Sequence, residues 1–149
     1  MTATPLLYDP DCGFCRVCVA AILKWDSPRR LRPVPLGSRE ADELLRGMPE
    51  AEQWASWHLV EPGWLPDPAE RPVFGNRPEI RSGGAAFSPL FRLLPGGSAF
   101  ALVADRFPHA AEKGYRWVAD RRSAFGKPIP VAVRRWADRV ISESAPDSR

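Results

Sequence analysis

The chain has 149 residues, 44% of them apolar and 26% charged, a balance that suits one globular unit and excludes both full-length disorder and a disulfide-dense miniprotein. Formal charge is only +3, with 21 basic and 18 acidic residues interspersed along the chain, so the pI near 9.0 does not require nucleic acid. The start of the chain lacks a signal-peptide pattern, and no apolar run reaches the roughly 18 residues of a membrane span, which together predict a soluble cytoplasmic protein.

Pro5-Leu6-Leu7-Tyr8 is a short apolar run closed by Asp9-Pro10-Asp11 and is predicted to be a buried strand ending in a turn. From Asp11 the apolar positions Phe14, Val17, Cys18, Ala21, Ile22 and Trp25 recur at steps of three and four, which predicts an amphipathic helix with Asp11 as its N-cap and Ser27-Pro28 as its stop. Leu31 to Leu36 has the length of a strand, although Pro33 and Pro35 restrict it to a ladder that needs no donor at those positions. Ser38 to Arg46 reads as a helix capped by Ser38 and ended by Gly47.

A third strand is predicted over Ala55 to Val60, followed by a long irregular loop in which Pro62, Pro66, Pro68, Pro72 and Pro78 fall. A weak strand around Glu79 to Arg81 would pair with it as a hairpin. Helices are then predicted at about Ala85 to Leu94, Ala99 to Arg106, His109 to Arg122 and Pro130 to Ser142, with a frayed tail over Glu143 to Arg149. The order strand, helix, strand, helix, strand, strand, helix implies an α/β fold, a thioredoxin-like mixed sheet with flanking helices and a C-terminal helical extension. One domain is expected over 1–149, its core at about 5–125 and its C-terminal helix and tail at about 126–149.

Cys12-Gly13-Phe14-Cys15 sits where the first strand hands over to the first helix, the setting of a redox C-x-x-C pair. The unsatisfied N–H groups and dipole of a helix N-terminus stabilise a thiolate, so Cys12 is expected to ionise more readily than free cysteine, whose pKa is about 8.5. Cys12 is then the nucleophile, and Cys15, one turn later, the resolving thiol. The carboxylates of Asp9 and Asp11 oppose that thiolate. For Asp11 two roles stay open, helix cap or proton acceptor for the resolving thiol, whereas Asp9 reads as a turn former.

Cys18 extends the series to C-x-x-C-x-x-C, but it falls on the apolar stripe and no fourth ligand is evident, so a buried structural cysteine is expected, ahead of an accessory thiol and of a metal ligand. His58 and His109 stand alone as strand-face or helix-surface residues. Trp54, Trp57 and Trp64 cluster near the proline-rich loop and are expected to pack in the core, with a substrate groove as the other reading. Ser82-Gly83-Gly84 before a helix reads as a tight turn, with anion binding as the lesser reading. The late cations Arg116, Arg121, Arg122, Lys127, Arg134, Arg135 and Arg139 suit exposed helix faces or a patch for an anionic partner.

Leu7-Tyr8-Asp9-Pro10-Asp11-Cys12-Gly13-Phe14-Cys15 resembles the DCC family of predicted thiol-disulfide oxidoreductases (DUF393), named for its Asp-Cys-x-x-Cys motif. The resemblance continues through Ser82-Gly83-Gly84-Ala85-Ala86, Leu94-Pro95 and Tyr115-Arg116-Trp117-Val118-Ala119, covering about residues 5 to 125. It implies a thioredoxin-like fold and a redox pair at Cys12 and Cys15, with Asp11 completing the motif. Members commonly have glycine at the position of Pro10 and often proline at that of Gly13. Thioredoxins and glutaredoxins also carry a cis-proline before the third strand, where this chain has Trp54-Ala55-Ser56, so its docking surface is expected to differ.

The expectation is a cytoplasmic thiol-disulfide oxidoreductase of the protein-disulfide reductase type. It would act on a protein or small-molecule thiol or disulfide, with no bound cofactor or metal and with neither nucleic acid nor membrane as partner. The alternatives are a thioredoxin-like binding module with vestigial cysteines, and a metal-binding protein using Cys12, Cys15 and Cys18.

Overall fold

The computed structural model describes residues 3–61 and 79–145. Strand β1 (Thr4–Tyr8) is buried along its whole length and lies inside a four-stranded sheet of order β2-β1-β3-β4. It runs parallel to β2 (Leu31–Pro35) and antiparallel to β3 (His58–Val60), which pairs antiparallel with β4 (Ile80–Ser82). The predicted mixed α/β, thioredoxin-like arrangement is therefore present, with the hairpin formed by the last two strands. The proline-rich segment between them, including Trp64, lies outside the described residues.

Two prolines fit into β2 because of where the ladder puts them. The Leu36 N–H donates to Tyr8 O at 2.9 Å, so even positions of this edge strand face β1 and the odd ones, including Pro33 and Pro35, face away from it. The N–H of Leu31, another odd position, donates instead to the buried carboxylate of Asp26 at 2.6 Å. That bond ties the end of α1 (Gly13–Trp25) to the start of β2.

Side chains alternate across β1. Leu6 and Tyr8 join a core with Val19, Ala20 and Leu23 of α1, Ala86, Leu90 and Leu94 around α4 (Phe87–Leu93), and Ala137 and Val140 of α7 (Val131–Ser144). Leu7 faces the opposite layer, where Val34, Leu36, Ala41, Leu45 and Val60 pack beneath α2 (Arg39–Leu44). Ser38 caps α2 as expected, its hydroxyl accepting the Ala41 N–H at 3.2 Å.

The predicted strand from Ala55 begins three residues late. Glu50–Ala55 is a short helix, α3, and only His58–Val60 is strand. Glu50 and Glu52 complement the dipole in the first turn of α3, and Ser56 then turns the chain into extended backbone. The predicted helix at Ala85–Leu94 opens with a 3-10 turn over Gly83–Ala86 before α4.

Helices α5 (Ser98–Arg106) and α6 (Pro108–Gly126) follow, and α6 lies against that turn and against α1. The last described helix, α7, packs along α1, and its fully buried Ala137 and nearly buried Val140 complete the main core. None of the helices among the described residues is long and apolar enough to cross a membrane.

Because Ala137 has no accessible surface, enlarging it overpacks the contact between α1 and α7. Ala137→Leu is expected to lower stability by about 1–3 kcal/mol in urea unfolding, whereas Ala132→Leu on the exposed face of α7 stays within about 0.5 kcal/mol of wild type.

Candidate active site

The turn after β1 is built by Asp9, whose Oδ1 accepts the Asp11 N–H at 2.9 Å. This Asx turn delivers Cys12, not Asp11, to the N-cap of α1, which corrects the expectation that Asp11 caps the helix. The Cys12 sulfur itself accepts the Cys15 N–H at 3.2 Å, and the Cys12 carbonyl accepts the Arg16 N–H at 3.0 Å. Asp11 is left exposed.

Cys12 and Cys15 are both half-buried, with sulfurs at disulfide-bonding distance and Cα atoms 5.2 Å apart, inside the usual range of about 4.4–6.8 Å. One helical turn brings the two sulfurs together, and the bond needs no movement of the backbone. Each sulfur faces a different environment.

Cys12 lines a polar cleft of about 440 Å³ shared with Asp9, Asp11, Arg16, Arg122, Lys127 and Arg134. Cys15 lines an apolar cavity of about 170 Å³ with Cys18, Trp57, Phe87 and Tyr115 among its walls. Asp9 and Arg122 border both. Arg122 is half-buried, its guanidinium 4.0 Å from the Asp9 carboxylate and within 3.5 Å of the Trp54 carbonyl. Ser56 and Trp57, the residues that precede β3, lie on the Cys15 side.

Burial raises the phenols of Tyr8 and Tyr115 above the ordinary tyrosine value. The Arg16 charge offsets part of this at Tyr8, and hydrogen bonds to the Trp57 backbone and Ser56 offset part of it at Tyr115. Both rings therefore remain neutral walls at physiological pH.

The remaining candidates separate from the pair. Cys18 is a half-buried free cysteine on the apolar cavity, and burial pushes its thiol up. No group of three or more His, Cys, Asp or Glu positioned to hold a metal occurs among the described residues. His58 is buried on β3, where Nε2 donates to the Gln53 carbonyl at 2.9 Å and Nδ1 accepts from the Ser82 hydroxyl at 2.6 Å. Burial lowers its pKa, so it is a neutral clasp between α3, β3 and β4. His109 is exposed on α6.

The two described tryptophans of the predicted cluster do not share one site. Trp57 packs on the core beneath α1, while Trp54 packs on the opposite layer. The glycine turn is filled by the protein's own anion: the Gly84 N–H donates to Glu112 Oε2 at 3.0 Å, and a Cβ on Gly84 would stand 2.5 Å from the Glu112 Cα. These glycines let α6 approach closely and leave no open anion cradle.

Sequence reasoning missed the convergence of Arg122, Lys127 and Arg134 over Cys12. The cations were visible as residues, but nothing local shows that the end of α6 and the start of α7 meet at the first turn of α1.

With the Cys12–Cys15 bond closed, one equivalent of iodoacetamide is expected to add at Cys18. Its raised pKa means that less thiolate is present at neutral pH than for a free cysteine, so labelling should be slow at pH 7 and accelerate as pH rises through the alkaline range. Labelling at pH 7 as fast as that of a small free thiol would contradict this placement.

A search of the curated proteins and a search of the solved structures each return no match. The family model of the DCC1-like thiol-disulfide oxidoreductases matches residues 6–127, from within β1 to just past the end of α6. That span holds the end of β1, the described strands β2, β3 and β4, the cysteine pair and the glycine turn, as the resemblance of the motif implied, and the chain belongs to the DCC1-like thiol-disulfide oxidoreductase family.

Proposed function

We propose that the protein reduces disulfides, on a protein or a small molecule, by cycling Cys12 and Cys15 between dithiol and disulfide. The observation that carries this reading is the pair itself: one sulfur on an open cleft at the helix N-terminus, the other at bonding distance one turn in. A vestigial pair or a metal site has no need of that distance.

In the reduced protein the Cys12 thiolate is stabilised by the Cys15 N–H and the positive end of α1. It attacks one sulfur of the substrate disulfide, forming a mixed disulfide and expelling the other sulfur as a thiolate. Cys15 then loses its proton and attacks the Cys12 sulfur, closing the Cys12–Cys15 bond and releasing the second substrate thiol. Two electrons pass from protein to substrate, and an external dithiol restores the reduced pair.

The opposition of Asp9 and Asp11 to the thiolate is answered by Arg122, which stands beside Asp9, and by Lys127 and Arg134, which share the cleft. Asp11 is then the motif carboxylate available as a proton acceptor at the rim. The reading places the protein in the cytoplasm, where the reducing poise keeps such a pair open between turnovers, and it involves neither nucleic acid nor membrane.

Cys12→Ser is expected to abolish disulfide reductase activity. Cys15→Ser should instead accumulate a mixed disulfide on Cys12, visible as a mass increase that dithiothreitol removes. Because Asp11 is exposed and water can replace it, Asp11→Asn is expected to cost less than about tenfold in kcat/KM. A loss of about 10²–10⁴ would show direct proton transfer, and full activity of Cys12→Ser would overturn the reading.

A further inference from the structure

The two sulfurs of the pair face unlike surroundings, and the attacking one faces charge. The cleft over Cys12 sets four cations, Arg16, Arg122, Lys127 and Arg134, against two carboxylates, Asp9 and Asp11. Two of the cations are compensated: Arg16 pairs with Asp138, and Arg122 stands 4.0 Å from Asp9. Among the described residues no carboxylate pairs with Lys127 or Arg134.

The Arg134 guanidinium is nevertheless held in place. Its Nη2 donates to the Gly126 carbonyl at 3.0 Å, and its Nε lies 4.0 Å from where a Cβ on Gly13 would stand. The guanidinium thus stands beside the first turn of α1. An anionic group entering the cleft meets its remaining N–H donors, an ammonium and the positive end of a helix of thirteen residues.

Resting on the reductase reading above, we propose that this cleft selects low-molecular-weight disulfides that carry carboxylates, held by Lys127 and Arg134 while Cys12 attacks the sulfur. A volume of about 440 Å³ is that of a small-molecule pocket, which typically holds about 300–1,000 Å³. Three helix ends wall it: the start of α1, the end of α6 and the start of α7. The exchange is balanced as before: the dithiol protein and one disulfide give the closed Cys12–Cys15 bond and two substrate thiols, and a dithiol such as dithiothreitol returns the two electrons.

The test uses the full-length reduced protein and three disulfides of similar length: dithiodipropionate (anionic), bis-hydroxyethyl disulfide (neutral) and cystamine (cationic). Each rate is normalised to that of dithiothreitol with the same compound. The anionic compound is expected to react at least about tenfold faster than the neutral one, in the range that charge steering gives, and the advantage should shrink with added salt. Lys127→Gln and Arg134→Gln should each lower the anionic-to-neutral ratio several-fold. Arg46→Gln, which removes the same charge from an exposed position outside the cleft, should not. Equal normalised rates for all three compounds, or a ratio that neither cleft variant moves, overturns the charge selection alone. Absence of exchange with every compound overturns the reductase reading itself.

Discussion

The site depends on how α1 is held. Its buried face lies between the sheet and α7, with Val19, Ala20 and Leu23 sharing a core with Leu6, Tyr8, Ala137 and Val140. Each fully buried aliphatic side chain in such a core is worth about 1.5–3 kcal/mol. At its far end the buried Asp26 carboxylate is tied to the Leu31 N–H, and at its near end the Asx turn of Asp9 sets the first residue. Fixed at both ends and along one side, the helix presents its first turn to solvent. The sulfur of Cys12 takes a place in that turn that an oxygen from serine, threonine or aspartate usually takes. The hydrogen bond that caps the helix is thus made to the sulfur on which the proposed exchange begins.

The pair divides the surface into two regions of different chemistry. On the Cys12 side, charge dominates, and the contributions are individually small, since exposed ion pairs are worth about 0–1 kcal/mol each. The proposed selection by Lys127 and Arg134, which no carboxylate among the described residues pairs with, is accordingly a bias among substrates and not a restriction to one. On the Cys15 side, aromatic walls and the neutral phenol of Tyr115 keep that sulfur in apolar surroundings. Arg122 and Asp9 stand on the border of the two and link α6 to the turn that places Cys12.

Features set by neighbours in sequence were legible before the structure. The apolar run of β1, the helix that follows the cysteines, the Ser38 cap and the Cys12–Cys15 spacing are all local, and local physics determines them. The stripe read on α1 is not its most buried face, however: Val19, Ala20 and Leu23 are buried, whereas Ala21 and Trp25 are exposed, because α7 covers a side of the helix that the spacing alone does not select. Two other local readings went astray for identifiable reasons. Trp57, Leu59 and Val60 drew the third strand back to Ala55, although Glu50 and Glu52 mark the first turn of a helix. Asp11 is the better capping residue by type, but Asp9 engages its N–H and shifts the cap by one residue. The cleft was not legible because Arg122, Lys127 and Arg134, which flank the junction of α6 and α7, lie far along the chain from Cys12 and Arg16 at the start of α1. Only the packing of α6 and α7 on α1 brings them to one sulfur.

The central claim is that Cys12 and Cys15 exchange two electrons as a unit. The most direct measurement is an equilibrium titration of the protein in dithiothreitol buffers of graded poise, with the thiols counted residue by residue by alkylation and mass spectrometry. The account predicts one two-electron transition in which Cys12 and Cys15 lose their thiols together while Cys18 stays free. Thiols that persist at Cys12 and Cys15 under every poise, or a bond that recruits Cys18 in place of either, would contradict it.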